Sequence, residues 1–526
     1  MNSEKILLVS PPNQLMKIET PRPNPELGLL YLAGALEDAG FHADILDATV
    51  GTRDDRLDDT FRKPVMQDSG LIRIGMTVSR LSEVIAKGGY GVVGINSNFT
   101  PQTKMALEVA RATKAVSRDI FVVVGGVNAR ALAERFLQSG AVDAICLTEG
   151  ERIAVNLMRT LAKEQDLAKV SGIAHLLDGK VVRQPVAPTD VCQNLDELPF
   201  PRWEKLPFFH YDELAPRAVL ALGSDRFGSL MTSRGCWAKC LYCHISSEKE
   251  HALETGNIGG LRFKSINRVM EEARRLQELG VKKLYFEDDT LLAKKRRICE
   301  IFTRIRDMGF QIADVNGVNL VHFLKREGSR LTIDREFLLL LKEAGFNQIV
   351  FPVESASQRI VDKYATGKLD HKNLNVVELV RVAASIGITC PINMMIGFPD
   401  ETEEEMRSSI ELGKRLVEAG SAYCTPFIPI PFPGCMLYDY AVANGHLASD
   451  FDPDIFNWKN AVMKNTVVPP ERVLELRDFA HEYMNTPEYV RARKEASAGT
   501  FWEKRGAELQ KEIGLRWQSG APVVTS

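Results

Sequence analysis

The 526-residue chain is 45% hydrophobic and 26% charged, a globular composition too long for one core, so two or three domains are expected. A net charge of −3, from 66 basic and 69 acidic side chains, gives no electrostatic basis for a nucleic-acid or membrane partner. The opening MNSEKILLVSPP carries an apolar run of only four residues, and no run approaches the roughly 20 needed to span a bilayer. The expectation is a cytoplasmic protein without a membrane span.

Residues 1–160 alternate strand and helix. Lys5–Ser10, Ala43–Ala48, Gly91–Asn98, Ile120–Gly126 and Val142–Gly150 read as buried strands. Leu27–Gly40, Gln102–Ser117, Asn128–Gln138 and Glu151–Lys163 read as helices. Continuous apolar strands separated by helices predict an α/β fold, here a flavodoxin-like, doubly wound parallel sheet that binds its ligand beyond the carboxyl ends of the strands. The long, charged stretch 49–80 breaks this rhythm, as a functional or mobile loop does. Residues 161–227 read as a linker with a hairpin at LLDGKVV and proline-rich connectors.

A second alternating series fills 228–440. Its strand signals are Ser229–Gly235, Lys282–Thr290, Gln311–Leu320, Gln348–Ser355, Thr389–Pro399 and Tyr423–Gly434. Six units are too few for an eight-stranded barrel and predict a partial (β/α)6 barrel of TIM type, with its chemistry on the loops at the strands' carboxyl ends. Residues 441–526 read as a small helical region, with helices over VVPPERVLELRDFAHEYM and Gly499–Gly514.

The stretch SRGCWAKCLYCHIS follows the first of these six strands and spaces Cys236, Cys240 and Cys243 as C-x3-C-x2-C. Nine cysteines over this length, three of them clustered, do not form a disulfide framework. Three close thiolates suit an iron–sulfur cluster. A cube held by three cysteines leaves one iron open, as catalytic metal sites require. A closed zinc site would need His244 as its fourth ligand, but adjacent residues such as Cys243 and His244 rarely both reach one tetrahedral ion. Cys424 and Cys435 lie near the sixth strand, on the expected substrate side, while Cys146, Cys192, Cys299 and Cys390 are expected to pack.

With Tyr242 just before the third cysteine, this motif resembles the radical S-adenosylmethionine (radical SAM) superfamily. FEDDT, VESAS, MMIGFPDETEEE and PFPGCMLYDYA resemble its later strand-end segments. The resemblance implies a [4Fe-4S] cluster on Cys236, Cys240 and Cys243, with S-adenosyl-L-methionine chelating the open iron through its amino and carboxylate groups. It implies Tyr242 beside the adenine and Asp288, Asp289, Glu354 and Ser355 as contacts to the amino and ribose groups. Gly397, without a Cβ, would let backbone approach the adenine. The third strand, DVNGVNL, lacks the arginine that many relatives place near the carboxylate, leaving the neutral Asn316 and Asn319 there.

The segments ILLVSPP, GINSNFTPQT, VVVGGVNAR and ICLTEGER make the first domain similar to that of the cobalamin (B12)-binding radical SAM proteins, and the resemblance covers residues 5–440. It implies cobalamin as a third cofactor. Ser10, Ser97, Thr100, Gly125, Gly126, Glu149 and Gly150 lie at strand carboxyl ends, where hydroxyls and close backbone suit a large polar macrocycle. No Asp-x-His-x-x-Gly motif is present, so no histidine ligand to cobalt is expected; loop 49–80, with Arg73 and Met76, is expected over the lower face. The implied activity is methylation of an unactivated carbon through a 5′-deoxyadenosyl radical and methylcobalamin. The alternative is oxidative cyclisation, ring contraction or hydroxylation without methyl transfer. Implied partners are a small-molecule or natural-product substrate between the domains and an electron donor such as flavodoxin or ferredoxin.

Overall fold

A computed structural model describes residues 2–16, 23, 26–163, 166–214, 225–314, 316–448, 450–457 and 460–491. Strands β1 (Asn2–Ser10), β2 (His42–Asp47), β3 (Tyr90–Asn96), β4 (Phe121–Gly125) and β5 (Ala144–Cys146) pair in parallel in the order β2-β1-β3-β4-β5. This is the flavodoxin-like order expected from the sequence. The two-residue period of a strand sends neighbouring side chains to opposite faces. Ile6 and Leu8 of β1 pack with Leu29, Ala33 and Leu36 of α1 (Leu27–Asp38) and with Met158 of Gly150–Ala162. Leu7 and Val9 pack on the other face with Leu81, Ile85, Leu107 and Ala110 from the helices Val78–Gly88 and Thr103–Val116. Both faces are covered, so the strands read as unbroken apolar runs.

Two stretches differ from the sequence expectation. The hairpin placed in the linker forms β6 (Ile173–Leu177) and β7 (Lys180–Arg183), but β6 pairs antiparallel with β5 and extends the sheet to seven strands. Its turn residues Asp178 and Gly179 both have positive φ, 51° and 76°, as a tight hairpin turn demands. The hairpin covers an edge that β5 would otherwise expose. Segment 49–80 is anchored rather than a loose cover: Ile72–Ile74 pairs with Asn13–Leu15 and Val65–Met66, and Val50, Leu57, Phe61, Ile72 and Ile74 are buried in the large core.

The second unit is a curved parallel sheet in chain order: β8 (Phe227–Leu230), β9 (Lys283–Phe286), β10 (Gln311–Asp314), β11 (Phe346–Gln348), β12 (Phe351–Glu354), β13 (Pro391–Met395) and β14 (Tyr423–Phe427). β11 and β12 are halves of one strand, broken at residues 349 and 350, and a bridge from Gln348 to Thr389 carries the sheet across the break. This gives the six strand positions of the expected partial barrel. Cys424 of β14 gives its N–H to Asn485 Oδ1 (2.8 Å) and accepts from Asn485 Nδ2 (2.9 Å). The asparagine thus occupies backbone groups of the last strand as a seventh strand would. It follows the helix Pro470–Met484, the first of the two C-terminal helices expected from the sequence. The other, Gly499–Gly514, lies outside the described residues. No helix among the described residues is long and apolar enough to cross a membrane.

Candidate active site

The cysteine loop leaves the end of β8 and is held from several sides. Buried Asp288 accepts hydrogen bonds from Thr232 N (2.9 Å), Thr232 Oγ1 (2.8 Å) and Ser233 Oγ (2.6 Å). Asp289 accepts from Gly235 N at 2.9 Å. Gly235 has φ +83°, and a Cβ there would lie 2.4 Å from the Gly260 carbonyl oxygen, so only glycine fits. Cys236 N donates to Gly259 O (3.2 Å), Leu241 N to Tyr364 O (2.9 Å), and Lys249 Nζ to the carbonyl of Cys236 (2.7 Å) and that of Ala238.

Cys240 is buried, and Cys236 and Cys243 are half-buried. Burial pushes all three thiols up, so they need a bound metal to become thiolates. Among the described residues no three His, Cys, Asp or Glu side chains gather closely enough to hold a single metal ion. A larger iron–sulfide cube accepts thiolates set further apart. The Tyr242 hydroxyl, one residue from Cys243, is buried beside Cys240 and Glu354. The donor set, three cysteines on one loop, fits a three-cysteine cluster.

The residues expected around S-adenosylmethionine divide. Glu354 ends β12 with φ +67°, a left-handed conformation that is strained for a residue other than glycine. Its carboxylate is paired with Lys368, whose ammonium stands 5.9 Å from the centre of the Tyr242 ring. Ser355 is buried, sharing its hydroxyl with Ser409 (3.1 Å) and accepting from Ser357 N (3.1 Å). Asp288, expected as a ligand contact, instead uses its carboxylate to hold the loop that delivers the cysteines. At Gly397 a Cβ would lie 2.5 Å from Val473 Cγ1, so its missing side chain admits the C-terminal helix. Asn319 caps its own turn by accepting from Val321 N (3.1 Å), and Asn316 is exposed.

A cavity of about 390 Å³ lies between the two units. Its depth is apolar, formed by Ile6, Leu8, Leu29, Val123, Leu157 and Met158. Its first-domain rim carries Asn96, Asn98, Gly125, Gly126, Thr148, Glu149 and Gly150, and Met231, Arg234, Gly235, His244, Glu287 and Asp289 face it from the barrel. The polar rim of close backbone suits one edge of a large polar ligand, and the enclosed 390 Å³ is smaller than a whole macrocycle with its tail. Four of the expected cobalamin residues therefore meet there, with Asp289 opposite. Ser10, Ser97 and Thr100 do not line it. Ser97 accepts from Asn128 Nδ2 (2.8 Å), the Thr100 carbonyl accepts from Thr103 Oγ1 (2.7 Å), and the Ser10 carbonyl accepts from Ala48 N (2.9 Å). Arg73 and Met76 are absent from the lining as well. Arg73 is spent on Glu108 (2.5 Å) and on the carbonyls of Gly75 and Met76, so the expected lower-face cover is not formed by them.

Sequence reading missed Glu287 and Arg234 as cavity residues, although both sit inside quoted motifs, FEDDT and SRGC. Burial raises the Glu287 carboxyl to about 7. Cys146 reaches the cavity wall, its thiol pushed up to about 11 by burial. Cys424 is buried beside Gly413 of the helix Glu403–Glu418.

A three-cysteine loop on a six-stranded partial barrel, facing a flavodoxin-like sheet across a cavity, defines a radical SAM enzyme with a cobalamin domain. Residues 230–413 match the radical SAM superfamily model and residues 15–158 the B12 binding domain model. An uncharacterized methyltransferase of Pyrococcus horikoshii is 30% identical over 489 residues, which cover 92% of this chain and 91% of the relative. Cytidylyl-2-hydroxyethylphosphonate methyltransferase of Streptomyces wedmorensis is 28% identical over 84% of this chain and 82% of its own length. Two solved structures share the fold. One is the radical SAM methyltransferase TsrM of Kitasatospora setae with tryptophan substrate and a SAM analogue bound (TM-score 0.63, 15% identity, 97% of this chain and 99% of that one). The other is the cobalamin-dependent SAM radical enzyme OxsB (TM-score 0.57, 17% identity, 98% of this chain and 63% of that one). The chain belongs to the cobalamin-dependent radical SAM family and is a methyltransferase within it. Its cofactors are a [4Fe-4S] cluster, S-adenosylmethionine and cobalamin.

Proposed function

We propose that this enzyme methylates an unactivated carbon of a small molecule held between the two units. One observation carries this reading: the interdomain cavity is bounded by Gly125, Gly126, Glu149 and Gly150 on one side and by Gly235 and Asp289 of the cysteine-loop anchor on the other. When bound, the cofactors supply a carbon-centred radical to remove hydrogen and a methyl group to replace it. The protein's share is positioning and enclosure. Cys236, Cys240 and Cys243 would hold the cluster, Asp288 and Asp289 fix the loop that carries them, and Tyr242, Glu354 and Ser355 would flank the nucleotide. Gly125, Gly126 and Gly150 would present backbone to the macrocycle from the cavity wall. The apolar depth of the cavity keeps water from reactive intermediates, and Glu287 presents a carboxyl that burial holds near neutrality. A cluster held by Cys236, Cys240 and Cys243 would draw its electron from a one-electron donor such as flavodoxin or ferredoxin. The substrate is a small molecule rather than a nucleic acid, in line with the net charge of −3, and the reaction takes place in the cytoplasm.

The test is anaerobic reconstitution with iron, sulfide and cobalamin, followed by incubation with S-adenosylmethionine and fractionated metabolites. The expected result is a fraction that yields 5′-deoxyadenosine and S-adenosylhomocysteine together with a methylated product. Turnover that gives deoxyadenosine and methionine but no S-adenosylhomocysteine would remove methyl transfer from the account.

A further inference from the structure

Trp237, the residue after Cys236, turns its ring outward: it is 40% exposed, although Ala238 and Cys240 beside it are buried. The ring is held from two sides. It stands edge-on to His322, 6.3 Å between centroids, and Gly367 leaves room for it, since a Cβ at that residue would come within 3.0 Å of the indole. An exposed apolar side chain is ordinary by itself. A tryptophan already immobilised, however, loses little further freedom when a partner covers it, and tryptophan is enriched among the side chains that anchor interfaces.

The charges around this ring are of one sign. Lys239, exposed, lies in the short strand Lys239–Cys240 that pairs with Ala365–Thr366. His322 leads into a hairpin of Leu324–Glu327 and Arg330–Ile333, on which Arg326 and Arg330 are exposed. None of these three cations has an ion-pair partner among the described residues. The acidic side chains flanking the same segments are engaged, Glu327 with Lys325 (3.1 Å) and Asp362 with Gln358 (2.7 Å). In a chain of net charge −3, a face that sets free cations around a fixed tryptophan is complementary to an acidic partner.

Its position says what that partner does. Trp237 adjoins Cys236 and Lys239 adjoins Cys240, and electron transfer between proteins falls steeply with distance. We propose that Trp237, Lys239, Arg326 and Arg330 form the docking surface for a small acidic one-electron carrier. One electron leaves the carrier's reduced flavin or iron–sulfur centre and enters the cluster; no atom is exchanged. Complexes of this kind are small and short-lived, in keeping with a patch of one aromatic ring and three charges. The inference rests on the cysteine loop being the cluster site, and it adds the surface and the charge of the donor.

The experiment uses anaerobically reconstituted full-length protein and an acidic flavodoxin. Equilibrium binding of oxidised flavodoxin is measured at low and high ionic strength, and bleaching of the cluster is timed with reduced flavodoxin and with dithionite. Trp237→Ala and the double variant Lys239→Glu/Arg326→Glu are compared with wild type, with iron content as the control for loading. Wild-type binding is expected to weaken at least about tenfold from low to high salt. At low salt each variant is expected to bind flavodoxin at least about tenfold more weakly, and to be reduced by it correspondingly more slowly, while its reduction by dithionite changes less than about twofold. Variants that bind flavodoxin as wild type does overturn the surface, as does an equal loss with dithionite, which would show damage to the loop. A wild-type dimer that Trp237→Ala dissolves would give the face to a second copy of the chain and overturn it too. A wild-type protein that dithionite reduces but flavodoxin does not bind overturns the acidic carrier. One without iron overturns the cluster site instead, a failure recognisable before any variant is compared.

Discussion

Arg262 lays two nitrogens across the carboxylate of Glu149, with Nη1 3.0 Å from Oε2 and Nη2 2.5 Å from Oε1. Both side chains are largely buried, and Arg234, two residues before Cys236, reaches the same carboxylate at 3.2 Å and Glu151 at 2.6 Å. Bidentate pairing of this kind is directional as well as strong. It fastens a strand end of the cobalamin domain to the strand Arg262–Phe263, which pairs with Ser233–Arg234 just before the cysteine loop. These buried charges tie the first-domain strand end to the barrel beside the cysteine loop.

Breaking that contact from one side leaves buried charge uncompensated. Glu149→Ala is expected to destabilise the protein by roughly 3–5 kcal/mol. In a cycle with Arg262→Ala, the double variant is expected to lose less than the sum of the singles by at least about 1.5 kcal/mol. Chemical denaturation of the four proteins measures this. Additive losses would show that the two side chains are not coupled.

Gly397 provides a steric test. Its φ of +100° and the 2.5 Å approach of a hypothetical Cβ to Val473 Cγ1 penalise any side chain twice. Gly397→Ala is expected to cost about 2–5 kcal/mol, the sum of left-handed strain and overpacking. Adding Val473→Ala should relieve the overpacking caused by the new methyl but leave the backbone strain. Denaturation midpoints decide it: a Gly397→Ala protein as stable as wild type, or one fully restored by Val473→Ala, contradicts the account.

Glu401 sets a pH dependence. One of its oxygens accepts from Gly397 N (2.7 Å) and Phe398 N (3.1 Å), and the other has no partner. Burial is the main reason its carboxyl rises from 4.5 to about 8, with Glu405 adding to the rise and Arg359 opposing it. A folded value above the unfolded one means that the folded protein prefers the proton. The group's contribution is full below about pH 4.5 and is lost progressively as pH rises toward 8. Glu401→Gln keeps an acceptor for both N–H groups without a charge to titrate. Its stability is expected to fall less than that of wild type between these pH values, as read from unfolding curves across that window. Parallel curves would show that Glu401 does not titrate there.

Much of this architecture was legible because it follows from periodicity. The run Ile6-Leu7-Leu8-Val9 reads as a strand covered on both faces, and residues of both parities are buried. Cysteine spacing located the cluster loop. Less visible were features that depend on which distant segment arrives. Asp178-Gly179 reveals a hairpin but not that its strand joins β5. The buried Leu57, Phe61 and Ile72 lie in a segment without regular period, so 49–80 read as irregular. Gly397 signals a tight approach without saying that Val473 makes it, and nothing near Lys368 forms a motif to announce its pairing with Glu354.

The central claim is an iron–sulfur cluster on Cys236, Cys240 and Cys243, and iron counting with electron paramagnetic resonance on oxygen-free protein tests it most directly. Wild-type protein is expected to hold about four irons per chain and to show a reduced-cluster signal that changes on adding S-adenosylmethionine. The triple alanine variant is expected to lose both while still binding cobalamin. An iron-free wild-type protein, or an alanine variant that keeps the signal, contradicts the account.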